Sequence, residues 1–176
     1  MQAEYKKEYL ILILIFVVLL AVGLYSSLHD RPEYNKQVGP AIVLPPEDFV
    51  IQTGAGTITP GRSTFQEVTA LFPQGKTLGR STIYRPTGQP FFFEFSKKEN
   101  ILTVVQIEDK SLATARGINV GDSLEKVIAA YGENYSSTSL AGAGLVDISY
   151  GQTDKIIFKI SDQVVTKIAV QHQVLK

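Results

Sequence analysis

The chain has no cysteine. That excludes disulfides, zinc–thiolate sites and thiol nucleophiles, and with them bacterial lipoprotein acylation, which needs a cysteine just after the signal. Such a domain is held by its own core, and roughly 140 residues beyond the N-terminal segment can supply one. Charge of one sign is also lacking: 17 Lys and Arg stand against 17 Asp and Glu, and the first 28 residues hold two of each kind. Without a basic footprint to neutralise phosphates, nucleic acid is excluded as a partner. Histidine is scarce. His29 and His172 lie far apart in the chain and read as solvated surface residues, with no His-x-x-x-His or Glu-x-x-His spacing for a metal. Gly-x-Ser-x-Gly is absent, so no nucleophile elbow is indicated. Gly54-Ala55-Gly56 lacks a third glycine and a following helix and reads as linker. The sequence implies no metal, no cofactor and no enzyme.

What is present begins with an apolar run. Leu10–Leu24 holds 15 apolar residues without a break, and Tyr25 to Leu28 extend it to 19 uncharged residues. About 20 cross a bilayer as a helix. Tyr9 and Tyr25 stand where interfacial aromatics are common, and Lys6 and Lys7 precede the run. The pattern predicts a transmembrane helix over 9–28, a cytoplasmic N-terminus over 1–8, and a single-pass protein of the cell membrane, in contact with the lipid bilayer, whose remaining chain is extracytoplasmic. The competing reading is a signal peptide cleaved at Ala21-Val22-Gly23.

Residues 29–57 read as a connector. Pro32, Pro40, Pro45 and Pro46 stiffen it, and Asp48 to Gln52 has the composition of a short edge strand. From Ile58 the chain repeats itself. Ile58-Thr59-Pro60-Gly61-Arg62-Ser63-Thr64 is followed by Glu67, Val68 and Leu71, and Ile118-Asn119-Val120-Gly121-Asp122-Ser123 by Glu125, Val127 and Tyr131. In each unit a glycine turns the chain and a Ser, Thr or Asp caps a helix. Thr64 with Glu67, and Asp122 with Glu125, have capping-box spacing. Gly61-Arg62-Ser63-Thr64 can be written as an anion site at a helix N-terminus, but reads first as an ordinary cap. Apolar residues at helical spacing give each helix one buried stripe, with Pro73 and Gly132 as stops. Period-two strands follow: 81–85, 91–96 and 101–107 in the first unit, 145–150, 156–160 and 164–170 in the second. The expected fold class is α+β: a transmembrane helix, then two tandem helix–β-meander repeats over 58–110 and 111–176, with helices packed on one face of antiparallel sheet.

The tandem pattern Ile-x-x-Gly-x-Ser, a short capped helix with Glu-Val or its equivalent, then a β-meander, resembles the β-lactamase-inhibitor-protein-like repeat; the outer-membrane assembly lipoprotein family BamE (SmpA) carries one unit of similar design. The resemblance covers Ile58 to about Gln171. It implies a non-catalytic unit that binds other proteins through an exposed sheet surface or flanking loops at the cell envelope. Gly61, Ser63, Thr64, Gly121 and Ser123 are structural in that pattern, so it carries over no binding residue.

Strand alternation supplies candidates instead. Tyr84, Phe92, Leu102 and Val104, among Glu94 and Gln106, are expected on the outer face of the first sheet. Ile157 and Val165 are expected among Lys155, Lys159 and Lys167 on the second. Apolar side chains on a solvent face mark either a partner surface or a face covered by the 29–57 connector or a neighbouring loop; on the first reading the expected function is a membrane-anchored protein-interaction module: an adaptor, assembly factor or inhibitor with a protein partner. The alternative is a small-ligand sensor with its ligand between the two units.

Overall fold

The computed structural model describes residues 36–79, 82–140 and 145–173, all within one compact unit, 34–176. Its strands are β1 Lys36–Val38, β2 Ile51–Thr53, β3 Gly56–Ile58, β4 Gly75–Thr77, β5 Ile83–Pro86, β6 Phe91–Phe95, β7 Leu102–Ile107, β8 Tyr135–Leu140, β9 Leu145–Gly151, β10 Lys155–Ser161 and β11 Val164–Gln171. Its α-helices are α1 Phe65–Leu71 and α2 Leu124–Tyr131, and a 3-10 turn covers Pro46–Phe49. Residues 48–52, expected as an edge strand, divide between that turn and β2.

The expected α+β architecture is corrected. Nine of the strands form one antiparallel sheet in the order β1-β8-β9-β10-β11-β7-β6-β5-β4, and β2 and β3 form a separate hairpin. The two meanders do not make separate sheets, because β11 pairs with β7 from Ile168 against Ile107 to Gln171 against Val104. That junction joins segments some sixty residues apart, and the short helices are minor covers on a mainly β structure. No helix of the described residues is long and apolar enough to cross a membrane. The single-pass architecture and membrane location expected from the sequence are therefore not supported by any helix among the described residues. The expected span 9–28, the tail 1–8 and His29 lie outside the described residues.

The core lies on one side of the sheet. Phe91, Phe93 and Phe95 alternate with Phe92 and Glu94, so a period of two sends the first three inward, where each is buried. Burying a side chain of this kind contributes roughly 1.5–3 kcal/mol. Phe65 packs edge-on to Phe95, and Phe72 to Phe91. Farther along the sheet, Tyr131 of α2 meets Tyr150 and Phe158. Part of the expected connector belongs to this core: Leu44, Phe49 and Ile51 are buried in the same cluster as Ile58. Arg116 fastens it there. Its Nε and Nη2 donate to the two carboxylate oxygens of buried Asp48 at 2.8 and 2.6 Å, its Nη1 donates to the Ala130 carbonyl, and its guanidinium lies 4.7 Å from the Tyr131 ring centroid.

The same local devices occur twice in the sheet. Gly61 N–H donates to the Leu102 carbonyl and Gly121 N–H to that of Val165; both glycines have positive φ, 80° and 95°, which glycine adopts without penalty. Tyr84 donates its phenol to the carbonyl of Phe72, the C-cap of α1, at 2.5 Å. Tyr150 donates to that of Gly132, the C-cap of α2, at 2.8 Å. The N-caps differ. Thr64 and Glu67 form a full capping box, whose hydrogen bonds hold the Glu67 carboxyl below its ordinary range. The capping box expected of Asp122 and Glu125 does not form. Ser123 caps α2 by accepting from Lys126 N–H, because the second turn is one residue shorter between glycine and cap. Asp122 instead accepts from Asn119 N–H and Lys126 Nζ, which together lower its pKa. Val68 and Val127 are the fully buried residues of the two helical stripes.

Candidate interaction surface

The face opposite the core is built by the other half of each strand's alternation. Its middle row crosses the sheet through register partners: Phe92 faces Gln106, Gln106 faces Ala169, Ala169 faces Ile157, and Ile157 faces Ser149. A second row runs Ile83, Glu94, Val104, Gln171, Lys155. A third is ionic. Glu108 takes Arg85 at 3.2 Å and Lys167 at 3.3 Å, one on each carboxylate oxygen, and Lys159 takes Asp147 at 2.9 Å. Arg85 also lies 5.2 Å from the centroid of the Phe92 ring, within range of a cation–π attraction. Every residue of these rows is at least partly exposed, whereas the inward residues of the same strands, apart from partly buried Val146, are buried.

Three of the six expected surface residues stand on this face: Phe92, Val104 and Ile157. The other three are corrected. Tyr84 pairs with Phe93, shares its inward face and is 5% exposed. Leu102 and Val165 are 0% and 1% exposed, because a β-bulge shifts the register in each hairpin. Glu94 faces Val104 but Phe95 faces Leu102, which makes Thr103 the extra residue. Likewise Lys159 faces Lys167 but Ile160 faces Val165, which makes Thr166 the extra residue. One added residue moves a side chain to the other face. Sequence reasoning missed Ile83, Arg85 and Ala169. Assigning Tyr84 to the inner face would have found the first two by alternation alone.

No family model, no curated protein and no solved structure matches this chain. The surface is therefore interpreted from its own chemistry.

A separate depression lies at one end of the sheet. Residues 43–49, the Thr59–Arg62 turn, the β9–β10 turn and His172 enclose a cleft of about 290 Å³. His172 Nδ1 stands 2.8 Å from Asp154 Oδ1, and this pair bridges the end of β11 to the β9–β10 turn. The contact is a close approach rather than a well-aligned hydrogen bond, since Oδ1 accepts none of good geometry among the described residues. His172 is thus partnered rather than merely solvated. Among the described residues no group of three His, Asp or Glu is placed to hold a metal ion.

Proposed function

We propose that this chain is a non-catalytic protein-interaction module that receives a protein partner on the outer face of its nine-stranded sheet, across Phe92, Val104 and Ile157. One observation carries the reading. The two helices, the 44–58 segment and the buried residues of the 112–118 loop join the core on the inner side, while no residue of the outer rows is buried. Phe92, Ala169 and Ile157 share a row there with Gln106 and Ser149, between a row of ion pairs and a row in which Ile83 and Val104 stand among Glu94, Gln171 and Lys155. Apolar anchors with a polar rim are the composition of a protein interface, and aromatic anchors tend to dominate its energy. The resemblance to the β-lactamase-inhibitor-protein-like repeat, whose units bind proteins by an exposed sheet or flanking loops, is consistent with a protein-binding role.

Site-directed photo-crosslinking tests it. A photoreactive residue at position 157, in cells that make the chain, is expected to capture one discrete protein, and Phe92→Ser in the same chain to abolish the adduct. A probe at Gln163, in the exposed β10–β11 turn, serves as the control. Equal capture from 163, or capture from 157 that survives Phe92→Ser, would count against this face.

A further inference from the structure

The cleft beside Gly61 has walls from four separate stretches of chain, and Gly61 and His172 at its edge are fixed by contacts. Gly61 is held at φ 80° with its Cα against the His172 imidazole; a Cβ there would lie 2.7 Å from the ring. The counterpart, Gly121, has open space at the same point, so this close seating belongs to the first turn alone. His172 is fixed from three sides: Gly61 under its ring, Asp154 beside Nδ1, and its own N–H donating to the Thr103 carbonyl at 2.8 Å.

Two features of this cleft are not needed by the fold. The first turn is one residue longer than the second, and the additional residue is Arg62. Its side chain lines the cleft, is exposed, and makes no hydrogen bond or ion pair with the described residues. The second is Val43. It stands in the lining at 80% exposure, the highest among the large hydrophobic residues described, next to buried Leu44. A guanidinium without a partner among the described residues thus shares the lining with apolar Val43, Leu44, Phe49 and Pro60. The one carboxylate in the lining, Asp154, has its Oδ1 2.8 Å from His172 Nδ1.

We propose that this cleft binds a carboxylate carried on an apolar body, with Arg62 taking the carboxylate in the paired geometry that guanidinium favours and the apolar part lying on Leu44, Phe49 and Pro60 under Val43. The ligand is a free aromatic or aliphatic acid or the C-terminus of a polypeptide ending in an apolar residue; the recognition chemistry is the same. This site is distinct from the outer sheet face and stands or falls without it.

Titration of the ¹⁵N-labelled full chain with sodium phenylacetate, followed by amide shifts, tests the proposal. Saturable shifts are expected at Gly61, Arg62, Thr153 and His172. Phenylacetamide, which lacks the charge, is expected to bind about tenfold more weakly or worse, as is phenylacetate to Arg62→Gln, since a hydrogen bond to a charged group is worth at least that. Val43→Ser should weaken binding several-fold. Both substitutions are at exposed positions and should leave the spectrum of the free chain folded. A peptide ending in phenylalanine with a free carboxylate, compared with its C-terminal amide, separates the sources: a free-carboxylate peptide tighter than phenylacetate points to a chain end, one no tighter to a small acid. Absence of saturable shifts with either acid overturns the proposal. So does binding that is unchanged in Arg62→Gln, or phenylacetamide binding as tightly as phenylacetate.

Discussion

Thr103 and Thr166 hold corresponding places in the sheet: each is the extra residue of a β-bulge, and each donates its hydroxyl at 3.0 Å to the carbonyl at which the opposite strand changes register, Glu94 and Lys159 respectively. These two threonines decide which side chains reach solvent. They turn Leu102 and Val165 into the core and leave Val164 partly exposed at 39%.

The bulges separate two residues that simple alternation treats alike. Leu102→Ser is expected to cost about 3 kcal/mol or more, through lost burial, a cavity and a buried hydroxyl. Phe92→Ser should cost less than about 1 kcal/mol, because its ring is already in contact with water. Urea denaturation of the two variants checks this, and equal costs would place Phe92 in the core.

The Asp48–Arg116 pair predicts an asymmetry. The Arg116 side chain is 34% exposed and that of Asp48 only 5%. With Asp48→Ala the guanidinium can turn to water, so the loss should be about 1–3 kcal/mol, below that of a fully buried pair. Arg116→Ala leaves a carboxylate buried without a cation and should cost about 3–5 kcal/mol. Denaturation midpoints that reverse this order would show that the clamp is held by other contacts.

The buried tyrosines predict an alkaline limit. Burial pushes the Tyr131 phenol from 10.0 up to about 12. Burial also raises Tyr150, with smaller contributions from the phenols of Tyr135 and Tyr131. Folding thus favours the protonated phenol. Above pH 10 the unfolded chain loses these protons while the native chain keeps them, and stability falls as pH rises. Their contribution is complete below pH 10 and is lost through about pH 12 for Tyr131 and beyond it for Tyr150. Melting temperatures across pH 8–11.5 should be flat and then decline, and Tyr131→Phe should lessen the decline. A decline of the same steepness in Tyr131→Phe would remove Tyr131 as its source.

The structure explains how far the sequence could be read. Thr64, Glu67 and Val68, and the inward Phe91, Phe93 and Phe95, are set by interactions within a few residues, so spacing alone locates them. Ser123 took the place expected of Asp122 because one missing residue shifts the cap, which the shared glycine alignment hides. Leu102 and Val165 depend on bulges that carry no mark beyond a threonine, and Tyr84 on a cross-strand partner. The single sheet was not legible because the β7–β11 pairing is long-range and leaves no periodic signal. Arg62 and Val43 gain meaning only from the cleft that folding assembles around them.

The central claim, that the outer sheet face is the working surface, meets its most direct test in the affinity of Phe92→Ser/Ile157→Ser for the protein captured from position 157. Titration calorimetry should show at least about a tenfold loss, the scale of a substituted interface anchor, with a melting temperature within a few degrees of the unsubstituted chain. Unchanged affinity in a chain that remains folded would contradict the claim.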